Sequence, residues 1–337
     1  MGCNGAAPLR DGGTMKRFSR RDLLRRSTAG AGAALVLSGW PATALLGSEA
    51  ESVTGPNIQF PAVPRERLSV ASYPFRAFIE SPTNKDRDKK QAGLSLKDFA
   101  ARVKTDFGVS GVEPLSAHFP STDERYLHEF REAIEKAGVH VVNIPVDNRH
   151  SFYDANAAVR NRAAEQGKKW IDVALTIGSP SVRLSIAQAK NAKPDVDVAA
   201  EMLKKLADYG AARNIVVNLE NDDLASEDAF FVVKVIQKVN RPYLHALPDF
   251  CNSMVGGNEK FNYDAMAALF PLAYNICHVK DSEVGEDGKV YRVDMKKTFG
   301  ILKASGYRGY CSMEWEGQSG SYEGTRFLIQ SALENLA

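Results

Sequence analysis

Across 337 residues the chain holds only four cysteines and six histidines. The cysteines, Cys3, Cys251, Cys277 and Cys311, show no short Cys-x-x-Cys spacing, which excludes a zinc ribbon and gives no disulfide framework. Cys277 and Cys311 sit inside apolar strand-like runs, and all three cysteines beyond residue 50 read as small packing residues. No apolar run approaches the roughly 20 residues that a membrane-spanning helix needs. A broad basic surface is missing as well. The formal net charge is +2, but residues 1–50 hold seven basic and three acidic side chains, so the remainder is slightly acidic and carries no electrostatic footprint for nucleic acid.

What basic charge there is lies at the start. From Met15, the expected start, the chain reads MKRFSRRDLLRRSTAGAGAALVLSG, a basic stretch followed by a short run of small apolar residues. Arg20-Arg21 followed by Leu23-Leu24 resembles a twin-arginine export signal, and Ala42-Thr43-Ala44 offers an A-x-A-like cleavage site. The expected organisation is a leader over 1–50, a Pro-rich linker over 51–66 and one catalytic domain over 67–337. The resemblance implies transport in the folded state by the twin-arginine export machinery, to the periplasm or the medium, with a metal acquired beforehand.

Beyond the linker, short β-branched or apolar runs alternate with amphipathic stretches. Strands are expected at 68–73, 108–114, 139–145, 181–186, 214–220, 243–249, 274–280 and 310–316. Ser95 with Asp98, and Ser121 with Glu124, have capping-box spacing ahead of two helices. Further helices are expected within 158–177, 197–213, 227–239, 262–270, 293–304 and 321–336, with Gly138 and Gly306 at helix ends. Eight strand–helix repeats predict an α/β fold of the (β/α)₈ TIM-barrel type. An open doubly wound sheet would want a glycine-rich loop after the first strand, and SYPFRAF is not one.

In such a barrel, function sits at the C-terminal strand ends. Strands five to eight end in NLEND, LPDF, CHVKD and MEWEG. Side chains alternate along a strand, so Glu220, Asp249, His278 and Glu314 are each placed to face one mouth. Three carboxylates brought together repel one another unless a cation intervenes. Three oxygen donors with one imidazole suit one divalent ion, Mn²⁺ first, with Mg²⁺, Co²⁺ or Zn²⁺ as alternatives. Taken singly, an acidic residue after a strand is more often a helix cap or a solvated loop residue.

NLEND, LPDF, CHVKD and SMEWEG, in this order, resemble the xylose-isomerase-like barrel superfamily, in particular its sugar (phosphate) isomerase/epimerase group. GVEPLS and RAAEQGKKWIDVALTIGSPSVRL are similar to that group too, so the resemblance runs from residue 68 to the end. It implies that Glu220 and Glu314 bind the metal and also shuttle protons, that Asp249 and His278 complete the metal set, and that Lys280 faces substrate. The chain departs from the ketose epimerases at Asn252, where they carry a histidine, and it lacks the many histidines of the three-zinc DNA-repair endonucleases.

The chemistry that follows is proton abstraction. A metal chelating a carbonyl oxygen and a neighbouring hydroxyl acidifies the C–H between them, and Glu220 and Glu314 are the candidates to remove and return the proton. Lys280 is either an oxyanion stabiliser or a surface lysine. Arg183 either binds substrate or pairs with Glu113, itself a candidate for substrate binding with Asn252. Trp315 either stacks on sugar or packs behind strand eight, and His245 reads as a hydrogen-bonded core histidine. The same intermediate allows epimerisation, isomerisation or, with a 3-keto-glycoside, lyase chemistry. A non-catalytic sugar-binding barrel is the reading from another class. The expected partner is a small carbohydrate; the sequence leaves the oligomeric state open, a homo-oligomer included.

Overall fold

In the computed structural model, residues 55–255, 258–285, 288–317 and 319–337 are described. The expected leader, Met15, Ala42-Thr43-Ala44 and Cys3 lie outside them. Eleven strands are present among these residues: β1 (Leu68–Ala71), β2 (Gly111–Glu113), β3 (His140–Val141), β4 (Ile144–Val146), β5 (Ser181–Leu184), β6 (Val216–Glu220), β7 (Leu244–Leu247), β8 (Ile276–Val279), β9 (Ser282–Val284), β10 (Val290–Arg292) and β11 (Tyr310–Met313). The helices are α1 (Leu96–Phe107), α2 (Glu124–Ala137), α3 (Ala157–Ile177), α4 (Val196–Ala211), α5 (Ala229–Val239), α6 (Glu259–Leu269), α7 (Met295–Ala304) and α8 (Ser321–Leu336).

The expected barrel is what forms. One parallel sheet runs β3-β2-β1-β11-β8 and another β4-β5-β6-β7. The third barrel strand belongs to both, as β3 and β4 with Val142 and Asn143 between them. The other seam closes through a parallel bridge between Asp249 and His278, with His278 N donating to Pro248 O at 3.0 Å and Phe250 N to His278 O at 3.2 Å. Closure thus passes through two of the four candidate metal ligands. The hairpin β9–β10, antiparallel and absent from the strand–helix reading, stands on the same rim.

Local chemistry explains the helix limits. Ser95 Oγ accepts from Asp98 N at 3.1 Å and starts α1. The second expected cap is shifted: Asp123, not Ser121, receives Tyr126 N, and Ser121 Oγ instead donates to Asp123. A carboxylate two residues nearer the helix outcompetes the serine hydroxyl for the first free amides. Gly108 and Gly138 end α1 and α2 with φ of +62° and +66°, a region costly for other residues.

The helices cover the barrel's outer face, and the interior is layered. Val142, Leu247, Ile276 and Tyr310 form a small apolar floor, against which Phe60 packs. Phe60 makes edge contacts with Tyr274 and Tyr310, and Tyr274 Oη donates to Pro56 O at 2.8 Å. The segment read as a linker therefore lies against the barrel floor in its residues 56–60. A polar chain also runs through the interior: Asn218 Nδ2 donates to Asn275 Oδ1, Asn275 Nδ2 to Ser181 Oγ, and Ser181 Oγ to Asn143 Oδ1. The three later cysteines are free and buried, with Cys277 and Cys311 opposite one another on β8 and β11. No helix among the described residues is long and apolar enough to cross a membrane.

Candidate active site

Glu220, Asp249, His278 and Glu314 converge at the C-terminal mouth, each offering one ligand atom within 4.8 Å of the others. None is more than 6% exposed. The strand period brings this about: β6 ends on Glu220, β8 carries His278, and Glu314 follows β11 directly. Asp249 lies two residues past β7, where its Oδ1 accepts from Cys251 N at 2.8 Å and Asn252 N at 2.7 Å. Its other oxygen, Oδ2, is buried and has no hydrogen-bond partner.

His278 orders the cluster. Its Nε2 lies 3.1 Å from both oxygens of Glu113, and its Nδ1 lies 2.8 Å from Glu220 Oε1 and 3.2 Å from Glu314 Oε2. Burial opposes a charge on this ring, but Glu314, Glu113 and Glu220 outweigh it and hold the imidazole pKa well above its ordinary value. With Nε2–H given to Glu113, Nδ1 is the nitrogen left to face a cation. Glu113, expected to bind substrate, lines the cavity with its carboxylate turned to His278. It is fully buried, accepts from Asn143 Nδ2 at 2.8 Å and Ser312 Oγ at 2.5 Å, and serves to position His278.

Arg183 also differs from the expected pairing. Its Nε sits 2.7 Å from Glu220 Oε2, with Asp147 and Asp222 farther out at 3.5 and 3.8 Å. The Glu113 alternative is absent because Glu113 is turned toward His278. The Arg183–Glu220 contact is an ion pair without hydrogen-bond alignment, so Glu220 Oε2 retains an unfilled lone pair. Burial pushes the Glu220 pKa up, but Arg183 and His278 push harder and lower it. For Glu314, too, burial is outweighed, by His278 and Lys280, and both carboxyls are held ionised. Asp249 behaves otherwise: burial lifts its pKa to about 7, only partly offset by Lys280.

Lys280 is no surface lysine. It is 2% exposed, and its Nζ lies 2.6 Å from Glu316 Oε2, 2.9 Å from Glu283 Oε2 and Asn252 Oδ1, and 3.4 Å from Glu314 Oε2. Burial disfavours its charge, yet Asp249, Glu316, Glu314 and Glu283 raise its pKa well above the ordinary ammonium value. Asn252 links this ammonium to Glu220, whose Oε1 accepts from its Nδ2 at 3.4 Å. Trp315 is not at the mouth. Alternation turns it outward between Glu314 and Glu316, where it packs against Gly324 and Phe327 of α8 and donates Nε1–H to Ser319 O. His245 is a hydrogen-bonded histidine below the mouth, on Pro242 O and Leu272 O.

The mouth opens into a cavity of 710 Å³ whose walls include Tyr73, Leu224 and the hairpin residues Val284 and Tyr291. Sequence reasoning missed Tyr73, Glu283 and Glu316. Glu316 was legible from alternation with Glu314; Glu283 and Tyr73 were not, because irregular or hairpin segments carry them.

The donor set fits a divalent ion on the structure's own terms. Glu220 and Asp249 each keep a buried carboxylate oxygen without a hydrogen bond, and the four residues each bring one ligand atom within 4.8 Å of the others. A cation among those atoms would relieve the repulsion of the three carboxylates, and three oxygens with one nitrogen suit a hard-to-borderline metal. Fold and cluster together define a TIM barrel with a candidate metal site at its catalytic face. Residues 101–335 match the xylose isomerase-like TIM barrel family, and the chain belongs to it. Similar solved structures include a xylose isomerase-like TIM barrel protein from Mycobacterium smegmatis in complex with magnesium, at 17% identity and a TM-score of 0.60, over 80% of this chain and 97% of that one. L-ribulose 3-epimerase aligns at 16% identity and 0.60, over 80% and 95%. The 3-keto-D-glucoside 4-epimerase of E. coli aligns at 14% and 0.53, over 68% and 92%. At these identities the likeness is one of fold. No curated protein matches the sequence.

Proposed function

We propose that the protein is a divalent-metal-dependent enzyme that removes and returns a proton next to the carbonyl of a sugar or keto-sugar, in the manner of an isomerase or epimerase. The observation that carries this reading is the placement of two ionised glutamates from different strands, Glu220 and Glu314, 2.8 and 3.2 Å from His278 Nδ1. A divalent ion held by Glu220, Asp249, His278 and Glu314, Mn²⁺ before Mg²⁺, would polarise a carbonyl and acidify the adjoining C–H. Glu220 and Glu314 face the cavity from two strands, so one takes the proton and the other returns it. Lys280 presents fixed positive charge beside Glu314, where negative charge grows on a substrate oxygen. Arg183 keeps Glu220 oriented and ionised.

The test is hydrogen exchange. Metal-loaded protein in D₂O with ketoses and 3-keto-glycosides should place deuterium next to the carbonyl, read by NMR, and Glu220→Gln or Glu314→Gln should slow it about 10²-fold or more. No exchange with any sugar at full metal occupancy would favour a sugar-binding barrel instead. Release of the group attached to a 3-keto-glycoside would make the enzyme a lyase.

We also propose export by the twin-arginine route, on the residues Arg20-Arg21 and Leu23-Leu24. Replacing both arginines by lysine should leave precursor in the cytoplasm.

A further inference from the structure

Among the described residues five large hydrophobic side chains are exposed, and two of the five, Leu224 and Val284, wall the metal-facing cavity. Leu224 is 42% exposed and Val284 36%. Leu224 lies on the loop after β6 and Val284 in the hairpin after β8, and the loop after β7 brings Val255 to the same wall. β6, β7 and β8 are neighbours in the barrel, so the three loops make one arc of its rim. Tyr291, on the second strand of the hairpin, adds an aromatic ring to the wall. Apolar side chains scattered singly over a surface need no explanation, but several on adjoining loops of one ligand-sized cavity do.

The charged part of the wall is engaged with itself. It holds eight carboxyl groups and two cations, Arg183 and Lys280. Both cations are buried: Arg183 lies against Glu220, with Asp147 and Asp222 farther out, and Lys280 donates to Glu283, Glu316 and Asn252. Arg76, 4.0 Å from Glu316, donates to Tyr73 O and lies over the Tyr73 ring. Asp223, next to Leu224, accepts from Ala225 N, Ser226 N and Ser226 Oγ. A phosphate or carboxylate on the substrate would therefore meet no unengaged cation of the wall. A divalent ion at the metal cluster still leaves the carboxyls in excess, eight against two side-chain charges and the two of the ion. Leu224 and Val284, by contrast, stand exposed.

We propose that the arc of Leu224, Val255 and Val284 receives an apolar aglycone. The substrate is then an uncharged glycoside, with its keto-sugar end at the metal cluster and its non-sugar group on this arc. The inference rests on the carbohydrate reading above and adds to it the class of the substituent. Burial supplies the affinity, since about 60 Å² of apolar surface removed from water is worth roughly a factor of ten.

Binding of unoxidised, unreactive glycosides tests it. The dissociation constants of the α and β forms of methyl, phenyl and 4-carboxyphenyl D-glucoside, with maltose and cellobiose, are measured on the metal-loaded full chain by calorimetry or saturation-transfer NMR. In at least one anomer the phenyl glucoside should bind about tenfold or more tighter than the methyl. The carboxyphenyl group and a second sugar ring should not reproduce that gain. The double variant Leu224→Ser, Val284→Ser should abolish the phenyl preference while leaving methyl glucoside within twofold. Its melting temperature should stay within about 2 °C of the parent, because both side chains are already exposed. Equal affinities for methyl and phenyl glucosides, a preference that survives the double variant, an equal gain from the carboxyphenyl group or a second sugar ring, or no glucoside binding would overturn the subsite. So would sedimentation showing a dimer that the double variant breaks, which would make the arc a contact between copies of the chain. Deuterium exchange reports separately on the reaction. Preference without exchange leaves the subsite and removes the proton-transfer reading; exchange without preference does the reverse.

Discussion

Glu113 grips His278 from behind: both oxygens of the Glu113 carboxylate lie 3.1 Å from the imidazole Nε2, while Nδ1 points at the carboxylates of the mouth. A carboxylate behind a ligating histidine fixes its tautomer and makes it a better donor. Glu113→Gln should therefore weaken metal binding about 10–100-fold, as such substitutions typically do. Titration of Mn²⁺ by calorimetry or by the electron-spin signal of the free ion checks this. A variant binding Mn²⁺ as tightly as the parent would remove Glu113 from the metal's support.

Metal binding should strengthen as pH rises. Without metal, the carboxylates hold a proton on His278, and burial keeps one on Asp249 up to about 7. The metal must displace both. Linkage gives the sign for stability. Where the folded state binds more protons than the unfolded, stability falls as pH rises. For Asp249 that window runs from its ordinary pKa near 4 up to about 7, and for His278 it begins near 6.5. The metal removes this penalty. The melting-temperature gap between Mn²⁺-loaded and chelator-treated protein should thus widen from pH 6 to pH 8. A gap that narrows contradicts the assignment.

His118 predicts sensitivity to acid. It is fully buried, its Nδ1 lies 2.8 Å from Ser72 Oγ, and Ser72 Oγ already accepts from Leu115 N, so the hydroxyl proton goes to the ring. Burial, reinforced by Arg76, lowers its pKa to about 3. Between that value and 6.5 the unfolded chain binds the extra proton, so stability is present above 6.5 and is lost as pH falls, by up to about 1.4 kcal/mol per unit. Urea unfolding at pH 7 and pH 5 should show a shallower loss in His118→Asn than in the parent. Equal slopes would mean that the ring is charged or unimportant.

Lys280 is expected to act on rate more than on metal binding. Lys280→Gln should lower kcat about 10²–10³-fold, the scale seen when one preorganised charge-stabilising donor is lost, with Mn²⁺ affinity within tenfold of the parent. Steady-state kinetics and metal titration on one preparation separate the two effects.

Trp315 should prove structural. Its ring packs against α8 and not in the cavity, so Trp315→Ala should destabilise by about 3 kcal/mol or more while KM stays within threefold. A large rise in KM at unchanged stability would return Trp315 to the substrate.

Much of this molecule was legible in one dimension. Alternation along β6, β8 and β11 placed Glu220, His278 and Glu314 on the inner face before any coordinates, because a strand has period two and a barrel has one inside. The roles of Glu113 and Arg183 were not legible. Each sits on an inner face with several acids or bases in reach, and which partner wins depends on distances between strands that are far apart in the chain.

The order of strands and helices, the closed parallel barrel and the four residues aimed at its mouth follow from hydrophobic period and residue type, which are local properties of the chain. The tertiary structure alone decided that Glu113 braces His278, that Arg183 holds Glu220, and that the hairpin and Tyr73 wall the cavity. Hydrogen bonds and ion pairs are matters of a few ångströms between distant segments, and only the packed fold sets those distances.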